Sequence, residues 1–296
     1  MKLRDVVDFL LLAAMWGASF LLMRIAVPEF GPFTLMWVRA AVAAVILLPL
    51  LALRGELKIL FREWKAIVVL GIFAAGLPFV LLATASMHLT AGFTSIVNAT
   101  TALFTALFAV LWLKDRLEPT RWLGVAIGIV GVATLVWDKL GVRDSGGAAW
   151  GVLAGFGGAA SYGYAANLTR RYWPTLPSFV SATASRLGAA LVLTPLALWK
   201  WPAAMPPVPS WAAAVAMGVF SSALGYLLFF RLISRVGGVT AASVTLVVPV
   251  FAVAWAAVFL AEAVSLHVAL GGAVVLLGTS LSMGLVKLRK LSAALE

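Results

Sequence analysis

A guanidinium inside an apolar run is the first chemically loaded position in this chain. Arg39 stands within LMWVRAAVAAVILLPL (residues 35–50), whose other fifteen members are uncharged and mostly apolar. A charge near the centre of a bilayer costs roughly 2.5 kcal/mol or more, so it is kept for a task. Arg186 stands in a second run of the same kind. The tasks open to such a pair are holding the carbonyls of a neighbouring helix end, gating a path, or meeting a carboxylate.

Other polar groups are arranged for hydrogen bonding and stacking. Thr94, Asn98, Thr101 and Thr105 are spaced 4, 3 and 4 apart, which puts them on one helix face. Such a face either donates to a solute or packs a neighbouring helix, where Ser, Thr and Asn also gather. Asn98 is the strongest candidate, because an amide both donates and accepts. Trp16, Ser19 and Met23 share a second face, and Ser222, Tyr226 and Phe229 a third. Tyr162, Tyr164 and Asn167 fall too close together to point one way. Aromatic rings stack on planar solutes, and they equally fill cores that hold no ligand. The candidate binding residues are Trp16, Ser19, Asn98, Thr101, Tyr162, Tyr226 and Thr245. Arg39, Arg186 and His88 are candidates for gating or structural charge, and Pro78, Gly225 and Pro249 for hinges.

Groups for covalent or metal chemistry are scarce. There are no cysteines, and His88 and His267 stand apart in the sequence. Of eleven carboxylates, only Asp8 and Glu262 approach an apolar run, each near its end. A proton relay in a membrane commonly uses buried Asp, Glu or His, and a pump for cations commonly uses a buried acid. Both lose weight, as does an intramembrane enzyme. No cofactor and no metal are expected. His88 and His267 read first as interfacial histidines; His88 ranks higher because its segment is expected to border a cavity.

The elements that must position these residues follow from composition. The 296 residues are 63% hydrophobic and 11% charged, with mean hydropathy +1.07. That leaves too little polar surface to coat a water-soluble body. Apolar runs of about 20 residues recur, each long enough to cross roughly 30 Å of hydrocarbon. Breaks at charges, Pro and Gly predict ten helical spans: 6–27, 33–53, 65–86, 91–113, 119–137, 148–169, 177–199, 210–231, 238–261 and 266–286. The first resembles a signal peptide but shows no convincing cleavage site, and it reads as span 1. The fold class is an all-α polytopic membrane protein.

With the N-terminus placed inside, 16 of the 22 Lys and Arg fall at inner span ends, 4 at outer ends and 2 within spans. That asymmetry is a strong positive-inside signal and puts both termini in the cytoplasm. The net charge of +11 is then an orientation signal and calls for no nucleic acid. Nine of the twelve Trp, Trp137 among them, lie near span ends, as an interfacial belt would.

The chain also repeats itself at about 147 residues. Arg39 maps to Arg186, Gly71 to Gly218, Phe104 to Phe251 and Asp115 to Glu262; near the N-terminus the offset is one shorter, as from Gly17 to Gly163. Two five-span halves, residues 1–143 and 144–296, are expected. Five is odd, so the second half enters from the opposite face and the repeat becomes inverted, with a site between the halves. Pro78 and its counterpart Gly225 are weak points at matching places, and so candidate hinges. Gly124, Gly128 and Gly131 form a small-residue seam for close helix packing, as do Gly151 and Gly155. Arg39 lies about six residues in from the outer face, roughly 9 Å, and Arg186 about nine residues in from the inner one.

WGASF in span 1, PFTLMWVRAAVAAVILLPL in span 2, SYGYAANLTRR in span 6 and PVFAVAWAAVFLAEAVSLHVALGGAVVLLGTSLS across spans 9 and 10 together resemble the drug/metabolite transporter superfamily, EamA branch. Within that branch the chain looks most like YddG-type exporters of aromatic amino acids. The resemblance implies small organic solutes leaving the cytoplasm by alternating access, with no covalent chemistry. The expected location is the inner membrane, as a multi-pass protein, and the glycine seams do not by themselves indicate a dimer, so a monomer is the expected working unit. The resemblance also implies a proline kink in span 4, where this chain carries Ala102 in place of the Pro249 of span 9. The expected partners are a small solute and lipid. An exchanger of phosphorylated or nucleotide-linked sugars, or an exporter of other drugs and metabolites, is the main rival. A phosphate carrier would want several interior cations, and only Arg39 and Arg186 are on offer.

Overall fold

The structure is a computed structural model; it describes residues 1–136, 147–263 and 265–285. The expected boundary at 143/144, and Trp137, Lys139, Arg143, Lys287, Arg289 and Lys290, lie outside the described residues. In hydrocarbon a helix satisfies every backbone donor within its own segment, and the described residues are accordingly helical, with no strand among them.

The first run, α1 (Leu3–Leu53), would be a rod far longer than a membrane is thick if it were straight. It is broken at Gly31, whose φ of 68° and ψ of 164° are non-helical, with Pro32 next in sequence. Its two limbs fold onto one core: Met23, Val27 and Phe30 pack with Leu35, Met36 and Ala40. A short helix α2 (Leu57–Arg62) follows. α3 (Trp64–Gly71), a π-helical turn (Ile72–Gly76) and α4 (Leu77–His88) make one continuous rod. After it come α5 (Ala91–Ala99), α6 (Thr101–Leu113), α7 (Pro119–Val136), α8 (Gly147–Tyr172) and α9 (Ser178–Trp199). α10 (Val208–Ala216), a second π-helical stretch (Met217–Leu224) and α11 (Gly225–Val236) form another rod, followed by α12 (Gly238–Ala242), α13 (Val244–Leu260) and α14 (Leu266–Ser282). Among the described residues, six helices are long and apolar enough to cross a membrane, including Trp64–His88, Ala91–Leu113 and Val208–Val236. Pro119–Leu135 and Leu266–Ser282 are shorter apolar helices.

Local chemistry sets the breaks. The Thr90 side chain accepts from Phe93 N–H at 3.2 Å and starts α5, and Ser265 does the same for Val268 at 3.2 Å. The kink in span 4 occurs without a proline. Thr100 and Thr101 donate their hydroxyls to the carbonyls of Val97 and Asn98, at 2.6 and 2.7 Å, and the helix is interrupted between α5 and α6. Ser243 and Thr245 do the same to Thr240 and Ala242, between α12 and α13. Hydroxyls of this kind compete for helix carbonyls. Helix α9 runs continuously through Pro195 and α13 through Pro249.

Glycines let helices approach closely. Gly71 meets Gly188 between α3 and α9, and Gly128 meets Gly278 between α7 and α14. Gly124 and Gly131 complete the α7–α14 seam against Gly278 and Val275, as expected for packing, while Gly151 and Gly155 abut His88 and Val97. Val45, Leu111, Leu191 and Val258 point outward and stay exposed, which suits a lipid-facing surface.

Candidate functional site

The π-helical segments shape the candidate site. A π turn fits an extra residue into the helix and re-aims the side chains after it. Met217–Leu224 turns Ser221 and Ser222 towards α1. Trp16 Nε1 donates to the Ser221 carbonyl at 3.0 Å, and Ser221 Oγ donates back to the Met15 carbonyl at 3.0 Å. Ser222 Oγ accepts from Arg39 Nε at 2.8 Å. Gly225 closes the contact, since a Cβ there would stand 2.7 Å from Trp16 Nε1. In the other rod Pro78 is the second residue after the turn Ile72–Gly76 and is buried.

Arg39 and Arg186 meet in the interior. The Arg39 guanidinium lies 4.0 Å from the Phe79 ring centroid, and that of Arg186 lies 4.9 Å from the same centroid and 4.5 Å from Tyr226. By residue spacing the two Cα positions lie at different depths, Arg39 nearer the outer face and Arg186 nearer the inner one. The long side chains reach past that depth and converge on one ring. Among the described residues, neither arginine donates to a helix-end carbonyl. Arg39 donates to Ser222, and Arg186 donates through Nη1 to Ser185 Oγ at 3.3 Å, while its Nε is buried with no partner. Arg39 is 7% exposed and Arg186 1%. Among the described residues, neither makes an ion pair.

Aromatic side chains enclose this pair. Trp16 contacts Tyr226 at 5.7 Å and Phe229 at 5.3 Å between centroids, and Phe79 contacts Tyr162 at 6.2 Å. The contacts come in matched sets at the spacing of the sequence repeat. Trp16 corresponds to Tyr162, Phe79 to Tyr226 and Arg39 to Arg186. Gly17 abuts Phe251 and Ala252, as Gly163 abuts Phe104 and Thr105. Trp16, Tyr162, Tyr226, Arg39 and Arg186 are thus brought together. Phe79, at their centre, was not singled out in the sequence. An apolar residue in an apolar run gives no signal of its own, although the register of Tyr226 in the repeat points to it.

Other candidates lie elsewhere. Among the described residues, no hydrogen bond or ring contact joins Asn98, Thr101 or Thr245 to this cluster. Thr94, Thr101 and Thr105 donate to carbonyls of their own helix, whereas Asn98 Oδ1 is buried and takes no hydrogen bond. Ser19 is buried. His88 is exposed at the end of α4, where it lines a cavity of about 250 Å³ with Thr90, Phe93, Val253 and Glu262. His267 Nε2 donates to the Thr134 carbonyl at 2.6 Å.

The ion pairs cap the two ends of the bundle. Glu262 accepts from Ala91 N–H at 3.0 Å and faces Arg24 Nε at 3.7 Å, while Arg24 donates to the Ser86 carbonyl at 2.7 Å. Asp115 holds Arg170 through both carboxylate oxygens. The segment Ala91–Leu113 runs from the Glu262 pair to the Asp115 pair, so the two lie at opposite ends. They too correspond in the repeat, and each acid follows a residue in the left-handed region, Lys114 (φ 58°) or Ala261 (φ 52°). Asp5 and Asp8 pair with Arg235 at the start of α1, the end opposite Arg24.

The comparisons with known proteins agree with this architecture. The pattern that defines the EamA-like transporter family matches residues 6–137 and 149–284. The chain is 29% identical over 244 residues to the "Uncharacterized inner membrane transporter YedA" of Escherichia coli, covering 80% of this chain and 77% of that one. It is 26% identical over 282 residues to the "Probable terminal-alkyne amino-acid exporter" of Streptantibioticus cattleyicolor, covering 95% and 94%. A solved crystal structure aligns with a TM-score of 0.64 at 17% identity, over 96% of this chain and 98% of that one, and so shares its fold. Family and relatives indicate a transporter rather than an enzyme, in a multi-pass protein of the inner membrane. With the family pattern matched over both halves, the chain belongs to the EamA-like transporter family of the drug/metabolite transporter superfamily.

Proposed function

We propose that this transporter exports small amphiphilic metabolites, aromatic or other neutral amino acids first among them. It does so by alternating access through a central site between two inverted five-helix halves, with both termini in the cytoplasm and one chain as the working unit. The observation that carries this reading is the central cluster, in which the arginine, tryptophan–tyrosine and phenylalanine–tyrosine counterparts of the two halves meet. A site between inverted halves is where such carriers bind their solutes. The ring-rich lining suits an aromatic side chain. The named amino-acid exporter among the relatives points the same way.

The paired ends supply a gate for each side. Arg24–Glu262 closes one end and Arg170–Asp115 the other, and alternating access needs one to part while the other holds. The π turns Ile72–Gly76 and Met217–Leu224, each beside a candidate hinge (Pro78 or Gly225), are where the two rods would flex. The absence of an interior acid or histidine in the sequence favours facilitated diffusion over proton coupling.

Counterflow in liposomes tests the reading. Labelled phenylalanine is preloaded against competing Trp, Thr, Met and a phosphosugar. Competition by the aromatic and neutral amino acids is expected. Competition by the phosphosugar alone would transfer the chain to the phosphate-exchanger class.

A further inference from the structure

The two central arginines are short of partners. A guanidinium carries five N–H donors and does not lose its charge in a protein. Among the described residues, Arg39 makes one hydrogen bond, to Ser222, and Arg186 makes one, to Ser185. Both cations sit over the same Phe79 ring, so they repel each other in a medium that screens poorly. Ring faces soften this, but the π quadrupole is a partial charge and not a counter-ion. The ion-paired acids are Asp5, Asp8, Glu63, Asp115 and Glu262, and their partners are other basic residues away from this centre. The chain therefore encloses two fixed positive charges and, among its described residues, offers no acid to balance them. Buried charges are otherwise found paired.

We propose that Arg39 and Arg186 form the anion subsite of the central site, clamping the carboxylate of an aryl-bearing organic acid while Trp16, Tyr162 and Tyr226 hold its ring. This rests on the transport reading given above, and it deepens that reading by naming the charge of the solute. The guanidinium fork matches a carboxylate with two parallel N–H···O bonds. The buried Nε of Arg186, which has no partner, is one of the donors such a ligand would satisfy. Trp16, Tyr162 and Tyr226 are only partly buried, so the rings around the pair offer a surface beside the enclosed charge. An ammonium on the solute finds no acid at this centre. A carboxylate without an ammonium is therefore bound at least as tightly as the corresponding amino acid.

The test is ligand-induced thermal stabilisation of the purified full chain, with 3-phenylpropionate, phenylalanine, phenylalaninamide, phenyl phosphate and sodium chloride as probes. 3-Phenylpropionate is expected to bind at least as tightly as phenylalanine. Phenylalaninamide, which has lost the carboxylate, is expected to bind at least tenfold more weakly than either. Arg186→Gln and Arg39→Gln are expected to lose tenfold or more in affinity for 3-phenylpropionate. The ligand series on the unaltered protein decides the matter even where a variant fails to fold. Binding of phenylalaninamide equal to that of 3-phenylpropionate overturns the proposal, as does wild-type affinity in a folded Arg186→Gln. Binding of phenyl phosphate without the carboxylates also overturns it, in favour of a phosphate subsite. Phenylalanine counterflow without the expected ligand order removes the subsite and leaves the transport reading standing. The expected order without any counterflow does the reverse.

Discussion

Cutting one end pair should tilt the carrier towards that end by an amount readable from its contacts. Glu262 is the stronger case. Its carboxylate accepts Ala91 N–H at 3.0 Å, faces Arg24 at 3.7 Å, and is 15% exposed in its side chain. A hydrogen bond to a charged group is worth about 1.5–3 kcal/mol, so Glu262→Ala should favour opening at its own end by about 10- to 150-fold. The Asp115–Arg170 pair is exposed, at 29% and 61%, where such pairs are worth about 0.2–1 kcal/mol. Asp115→Ala should therefore favour opening at the other end by no more than about fivefold. The sequence has no cysteine, so Ser19→Cys gives a single buried reporter without further engineering. Its labelling by an impermeant maleimide is measured in right-side-out and inside-out vesicles. Faster labelling from one side in Glu262→Ala, and more weakly from the other side in Asp115→Ala, is expected. Acceleration from the same side in both variants would refute the assignment of the pairs to opposite gates.

Ser222→Ala removes the acceptor of Arg39 Nε, a bond of 2.8 Å to a buried cation; a loss of about 1.5–3 kcal/mol is expected in reversible unfolding in mixed micelles. Gly188→Ala would drive a methyl into the Ile67 carbonyl between α9 and α3, so a cost of about 1–3 kcal/mol and a lower yield of folded protein are expected by size-exclusion profile. Arg39→Lys and Arg186→Lys keep the charge but lose the planar fork; normal yield with lost counterflow is expected, and loss of yield would mark the pair as architectural. Pro78→Ala and Gly225→Ala should slow counterflow without abolishing binding, and Gly225→Ala should also displace the Trp16 indole; unchanged rates would end the hinge assignment.

Much of the fold is legible because hydrocarbon leaves the backbone few options. The runs read as 91–113 and 177–199 are helices Ala91–Leu113 and Ser178–Trp199. The break at Thr100 was not legible, because the same hydroxyls that interrupt a helix also sit quietly within one. Thr94 and Thr105 return their hydroxyls to their own helix without breaking it. The candidate site was half legible. Trp16 and Tyr226 stood out as rings on polar faces, Tyr162 as one of three clustered positions, and Arg39 and Arg186 as misplaced charges. Their convergence did not, because residue spacing gives the depth of a Cα and not the reach of a side chain. The stripe from Thr94 to Thr105 was the clearest pattern in the sequence, yet its threonines bond their own helix, and only Asn98 keeps a buried acceptor without a partner.

The uncompensated guanidinium pair has a consequence for the driving force. A solute that enters as a monoanion and leaves through this centre carries one net negative charge across the membrane, because the arginines stay fixed in the chain. Each elementary charge moved through 100 mV is worth about 2.3 kcal/mol, roughly a fiftyfold concentration ratio. In a cell whose interior is electrically negative, that voltage pushes the anion outward. The carrier could then export such an anion uphill on membrane voltage alone, whereas a zwitterion crossing the same site would gain nothing from the voltage.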